Sequence, residues 1–126
     1  MSSFVLDASA VIAYLNQEPG ADRVENCLGD AYISTVNLAE VLTKSVEAGH
    51  DLVTARESFY LLGIKVVEFS ASHAGKAAEL RTDTRTLGLS LGDRSCLALA
   101  DELKLPVVTT DKQWQKISFC QVELIR

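Results

Sequence analysis

The chain has 126 residues, of which 48% are hydrophobic and 23% charged, a composition that suits one globular domain, residues 1–126, and excludes disordered, collagen-like and fibrous proteins. The longest uncharged apolar stretches, such as residues 8–17, are too short to span a bilayer, and no charged segment leading into an apolar one opens the chain; a cytoplasmic protein without membrane contact is expected. A formal charge of −5 argues against nucleic-acid binding by bulk electrostatics. The charge is uneven, however: residues 1–63 carry nine acids and three bases, residues 64–126 eight acids and nine bases. Cys27, Cys96 and Cys120 are odd in number and widely spaced, without the paired spacing of zinc sites, and are expected as reduced core thiols.

Strands and helices alternate along the chain. Phe4-Val5-Leu6 is a short apolar run ending at Asp7, and Val11, Ile12 and Leu15 then follow helical spacing. Residues 20–28 suggest a second short helix. Residues 31–36 suggest a strand, followed by a helix carrying Leu38, Val41 and Leu42. Leu52, Ala55, Phe59 and Leu62 mark the apolar stripe of a further helix, residues 65–69 a strand, and Ala74, Ala77 and Ala78 the next helix. Residues 91–103 contain the nearly all-apolar run 96–100, which predicts a helix buried on most sides. Strands over 106–109 and 122–125 complete the pattern. The alternation implies βαβ units: an α/β fold with a mainly parallel central sheet flanked by helices on both faces.

Four acids stand out by position. Asp7 and Asp111 each follow an apolar strand and precede a helix, which places them at the carboxyl edge of the sheet, where open α/β sheets bind ligands. Glu40, in Asn37-Leu-Ala-Glu40, and Asp93, in Ser90-Leu-Gly-Asp93, each fall in the first turn of a predicted helix. Both segments also fit capping boxes, and an acid at a helix start is favoured by the backbone dipole without any further role. The combination points further, because helices entering one sheet edge bring all four carboxylates together. Two like charges 4 Å apart repel by about 4 kcal/mol at an effective dielectric of 20, so such a cluster calls for a neutralising cation. Oxygen donors without histidine or cysteine suit Mg²⁺ or Mn²⁺ rather than zinc.

The segments Val5-Leu-Asp7-Ala-Ser9-Ala10, Asn37-Leu-Ala-Glu40-Val41, Leu89-Ser-Leu-Gly-Asp93-Arg94-Ser-Cys96-Leu-Ala-Leu-Ala100 and Val107-Val-Thr109-Thr-Asp111 resemble, in order and spacing, a PIN-domain ribonuclease, and more closely the VapC-like toxins of bacterial toxin–antitoxin pairs. The resemblance spans essentially the whole chain and is most specific around Asp93. It implies a PIN-like fold and endonucleolytic hydrolysis of RNA to 5′-phosphate and 3′-hydroxyl ends. It further implies that Asp7, Glu40, Asp93 and Asp111 form the quartet holding Mg²⁺ or Mn²⁺, Asp111 either directly or through water. A small antitoxin and a homodimer are the implied protein partners.

Ser9, two residues beyond Asp7, and Thr109, two before Asp111, are candidate auxiliary residues whose hydroxyls would hold metal-bound water, although bonding at helix starts explains them equally well. Arg81, Arg85 and Arg94 flank the Asp93 segment, and Lys112 and Lys116 follow Asp111. Of these, Arg85, Arg94 and Lys112 are the expected RNA-binding residues, weighed against an ordinary solvated face. His50 and His73 lack acidic or nucleophilic partners at informative spacing. Trp114 and Tyr14 are candidates for base stacking or for the core. An inhibitor helix would lie across the early helices, using Val11, Leu15 or Leu42 if exposed.

Three other readings compete. A phosphatase or phosphotransferase would use Asp7 as nucleophile, but position 9 holds serine where such enzymes place a second aspartate. A signalling receiver domain would need adjacent early acids and a lysine at a late strand end, and neither is evident. A PIN-like RNA-processing or RNA-binding domain without a toxin role remains, separable by metal-dependent cleavage.

Overall fold

The computed structural model describes residues 2–126. Five strands, β1 (Phe4–Leu6), β2 (Ala31–Ser34), β3 (Lys65–Val67), β4 (Val107–Thr109) and β5 (Val122–Leu124), form one sheet of order β3-β2-β1-β4-β5. All four strand pairings are parallel. The sheet is therefore wholly rather than mainly parallel. Six helices connect the strands: α1 (Ala8–Leu15), α2 (Ala21–Glu25), α3 (Thr35–Glu47), α4 (Leu52–Tyr60), α5 (Ala71–Asp83) and α6 (Leu91–Leu103).

Period-two alternation divides the core into two halves. Leu6, Ile33 and Val108 face a layer that includes Val11 of α1, Val24 of α2, Val41 of α3 and Phe59 of α4. Val5 and Val107 face the other layer, with Leu80 of α5, Leu97 and Leu99 of α6, and Trp114. A parallel sheet covered on both faces needs strands that are apolar on both sides, and Val5 and Leu6 are both fully buried. α6 is buried continuously from Ser95 to Ala100, as its apolar run predicts.

Several local expectations change. The stretch 20–28 is a helix only over Ala21–Glu25, followed by a tight turn at Leu28–Asp30. It starts at Gly20, where φ is +97° and a Cβ would come within 2.6 Å of the Ile125 carbonyl oxygen, so only glycine fits. β2 stops at Ser34 instead of running to residue 36, because the Ser34 hydroxyl accepts a hydrogen bond from the Val36 amide at 3.2 Å and opens α3 there. Val11 is core, with no exposed surface, and Leu15 and Leu42 are half-buried. Trp114 is likewise fully buried, which removes it from any stacking role, and Tyr14 is half-buried. The three cysteines are free thiols, two of them buried. Among the described residues, no helix is long and apolar enough to cross a membrane.

Candidate active site

Chain connections run from β1 outward to β2 and β3, then return across the sheet to β4 and β5. The direction of progression reverses between β1 and β4, and the carboxyl ends of strands flanking such a reversal are where parallel sheets leave a crevice. Asp7 follows β1 and Thr109 ends β4, with Leu6 in register with Val108. Asp7 also caps α1, its Oδ1 accepting from the Ala10 amide at 2.9 Å.

Two hydroxyls hold the same carboxylate. Ser9 Oγ donates to Asp7 Oδ1 at 2.7 Å, and Thr109 Oγ1 donates to Asp7 Oδ2. The Ser9 and Thr109 oxygens in turn accept from the Thr110 and Asp111 amides, at 3.0 and 3.1 Å. These two side chains therefore orient Asp7 itself. The hydroxyl protons are committed to the carboxylate.

Asp7 is 5% exposed and, among the described residues, no cationic group acts on its carboxyl. Burial pushes its carboxyl up to about 6 from the usual 3.8, outweighing the hydrogen bonds from Thr109, Ser9 and Ala10, and the like charge of Asp93 pushes the same way. A buried carboxylate in this state is destabilised and short of positive charge.

The cleft above it, about 660 Å³, is lined by all four acids together with Ser9, Asn37 and Lys44. Asp93 sits in the first turn of α6, where it and Ser90 form the predicted capping box: Asp93 Oδ2 accepts from the Ser90 amide at 2.9 Å and Ser90 Oγ from the Asp93 amide at 3.1 Å. The corresponding box at Asn37 and Glu40 does not form. α3 begins at Thr35, so Glu40 lies in its second turn, exposed toward the cleft, and Asn37 Nδ2 donates to Glu40 Oε1 at 2.9 Å and to the Gly92 carbonyl at 3.0 Å. Asp111 lies beyond the end of β4 and is exposed; its Oδ1 caps the turn at Lys112–Lys116. The four acids thus share one cleft. Among the described residues, no three histidine, cysteine, aspartate or glutamate side chains close on a point as a preformed metal cage.

This donor set fits a hard divalent cation. It is all oxygen, it includes a buried carboxylate raised by desolvation, and Asn37 leaves a buried Oδ1 without a hydrogen-bond partner. Mg²⁺ keeps several of its waters and takes one or two carboxylates directly, so an open cleft suits it better than a closed cage.

The expected RNA-binding bases are dispersed. Arg94 is half-buried, and its Nη1 donates to the Ala77 carbonyl at 2.8 Å, binding α6 to α5. Arg85 and Lys112 are exposed but do not line the cleft. The base that does line it is Lys44, one turn beyond Glu40 on α3 and loosely paired with Glu47 at 4.0 Å. Its four-residue offset from Glu40 was the available signal, but that offset equally marks an ordinary surface ion pair. His73, which has no acidic partner at informative sequence spacing, is buried with Nε2 2.9 Å from Glu102 Oε2, 29 residues away. That contact lies between α5 and α6, outside the residues lining the cleft.

A PIN-domain family model matches residues 4–119 of the chain. The chain belongs to the PIN-domain family. Solved structures similar to this PIN domain include a toxin–antitoxin complex from Klebsiella pneumoniae, at 20% identity over 98% of both chains with a TM-score of 0.80. DNA-bound VapBC from Salmonella typhimurium is 19% identical over all of both chains, with a TM-score of 0.78. VapC20 of Mycobacterium tuberculosis, described as a sarcin–ricin loop cleaving toxin, is 19% identical over 96% of this chain and 99% of its own, with a TM-score of 0.79. At these identities the likeness is one of fold. No curated protein sequence matches this PIN domain.

Proposed function

We propose that this PIN domain is an endoribonuclease dependent on Mg²⁺ or Mn²⁺ and the toxin of a toxin–antitoxin pair. The observation that carries the reading is Asp7, a buried carboxylate at the reversal point of the sheet, raised to about 6 and sharing a cleft with Glu40, Asp93 and Asp111. The cation, when bound, lowers the pKa of a water and stabilises charge on the leaving oxygen of a phosphodiester. Asp7, Glu40 and Asp93 are assigned to hold it, with Asp111 acting through water. Ser9 and Thr109 keep Asp7 oriented. Asp93 and Glu40 both line the cleft where α6 packs on α3, and Lys44 extends the cleft with a positive charge for the RNA backbone.

The toxin role rests on the fold shared with toxin–antitoxin complexes. A second groove, between α1, α3 and α4, adjoins the cleft and shares Ile12 and Lys44 with it. We assign it to an antitoxin helix, with a basic side chain reaching the acids. A cytoplasmic homodimer completes the reading. Incubating the pure protein with total cellular RNA in Mg²⁺, Mn²⁺ or EDTA, then mapping cleaved ends, tests the nuclease: cleavage that is absent with either metal, or that persists in EDTA, sinks it. Expression alone should arrest growth, with Asp7→Asn relieving the arrest and the adjacent small reading frame restoring growth. Normal growth with folded wild-type protein would overturn the toxin role while leaving the nuclease standing.

A further inference from the structure

Asn37 is 1% exposed, and its amide orientation follows from its neighbours. Both groups contacted by Nδ2, Glu40 Oε1 and the Gly92 carbonyl, only accept hydrogen bonds, so the amide cannot be turned over without setting oxygen against oxygen. This orientation leaves Oδ1 buried with no donor. A buried acceptor left unmade is costly, yet Asn37 lines the acidic cleft rather than the apolar core. On the other side of the contact, a Cβ on Gly92 would collide with the Glu40 carboxylate. Glu40 is thus held from two sides, by the amide of Asn37 and by the flat surface of a glycine one residue before Asp93.

We propose that Asn37 and Gly92 are positioning residues for the metal site: together they hold the Glu40 carboxylate beside Asp93, and Asn37 Oδ1 accepts a hydrogen bond from a water that the cation brings. The inference rests on the metal reading above. Groups that orient a metal ligand in this way change metal affinity by about 10- to 100-fold when removed. A side chain that only joined α3 to α6 would change melting temperature and leave affinity alone.

The test is Mn²⁺ affinity without RNA, measured from the electron paramagnetic resonance of free Mn²⁺, alongside apo melting temperatures, for wild type, Asn37→Ala, Gly92→Ala and Glu40→Gln. Gly92→Ala is the variant that spares the fold. The atoms its Cβ meets are the far end of the Glu40 side chain, which can swing away without moving backbone, and alanine favours the helix; its melting temperature should hold or rise while Mn²⁺ binding weakens about tenfold. Asn37→Ala should weaken binding by a similar factor. The double variant Asn37→Ala with Glu40→Gln should bind little worse than Glu40→Gln alone, because Asn37 acts largely through that carboxylate. If Asn37→Ala does not fold, Gly92→Ala decides. Folded variants that bind Mn²⁺ as wild type does would overturn the inference and leave the metal reading intact. A wild-type protein that binds no Mn²⁺ would overturn both.

Discussion

Asp7 and His73 are the buried carboxyl and imidazole groups of this PIN domain, and their surroundings differ in kind. His73 meets an acid, Glu102, and completes a capping box at the start of α5, with Nδ1 accepting from the Ser70 amide at 3.4 Å. Among the described residues Asp7 meets neutral donors, with another acid as its charged neighbour. One polar group is matched by the fold. The other is left short of positive charge at the point where the sheet opens. A site that must take up a cation is expected to look incomplete without it, and the difference between these two residues separates structural polarity from functional polarity more clearly than burial alone.

The sharpest way to break the comparison is to neutralise each group in turn. Asp7→Asn should reduce RNA cleavage by at least about 100-fold, by analogy with the loss of a residue orienting a metal site, while the apo domain gains stability. Cleavage by this variant at the wild-type rate would remove Asp7 from the catalytic role. His73→Ala should do the opposite: a loss of about 2–4 kcal/mol of stability, from the cavity and the abandoned cap, with cleavage nearly unchanged at temperatures where the variant is folded. Denaturant unfolding and RNA gel assays on the same preparations read both effects.

The stability gain from Asp7→Asn carries its own pH signature. With the folded carboxyl near 6 and the unfolded one near 3.8, the native state retains a proton that the unfolded chain releases between those values. Stability therefore falls as pH rises through that window, and the cost is fully present above about 6. The advantage of Asp7→Asn over wild type, measured in EDTA, should grow by about 2 kcal/mol between pH 4 and pH 7. Mn²⁺ should reduce it. A constant difference across this range would mean that Asp7 titrates normally in the folded protein.

Much of this contrast was legible from strand ends and helix starts. Asp7, Asp93 and Asp111 sit where short apolar runs stop or a serine cap begins, and those signals are local. Glu40 was recognised, but its place in α3 was not, because Ser34 and Thr35 suit a strand as well as a cap and concealed the true start of the helix. The sequence pattern at Asn37 fits a cap, whereas the side chain bridges α3 to the Gly92 carbonyl. The roles of Arg94 and His73 depend on partners 17 and 29 residues away, contacts that no spacing rule reaches. That the hydroxyls of Ser9 and Thr109 meet on the Asp7 carboxylate depends on the register of β1 with β4, which no local spacing carries.

Arg94 gives a smaller test on the structural side. Arg94→Ala removes a charged donor from the Ala77 carbonyl between α5 and α6 while that carbonyl keeps its partner within α5, a loss of about 1.5 kcal/mol for one hydrogen bond. RNA affinity and its salt dependence should not change, since the guanidinium is occupied by the fold. A shallower salt slope with wild-type stability would return Arg94 to the RNA path.

The smallest expected effect lies at the cleft mouth and would sharpen the functional side. Lys44 is exposed, and its pairing with Glu47 at 4.0 Å is loose, so the lysine is free to meet phosphate and its removal should leave the melting temperature unchanged. Each phosphate contact on single-stranded RNA contributes about 0.7 to the slope of log affinity against log salt. Lys44→Ala, made in an Asp7→Asn background so that the RNA survives, should therefore bind a few-fold more weakly at low salt and lower that slope by about 0.7. Arg85→Ala and Lys112→Ala serve as controls of equal charge outside the cleft. If those two variants lower the slope and Lys44→Ala does not, the RNA leaves the active site toward α6 and the turn at Lys112–Lys116 rather than along α3.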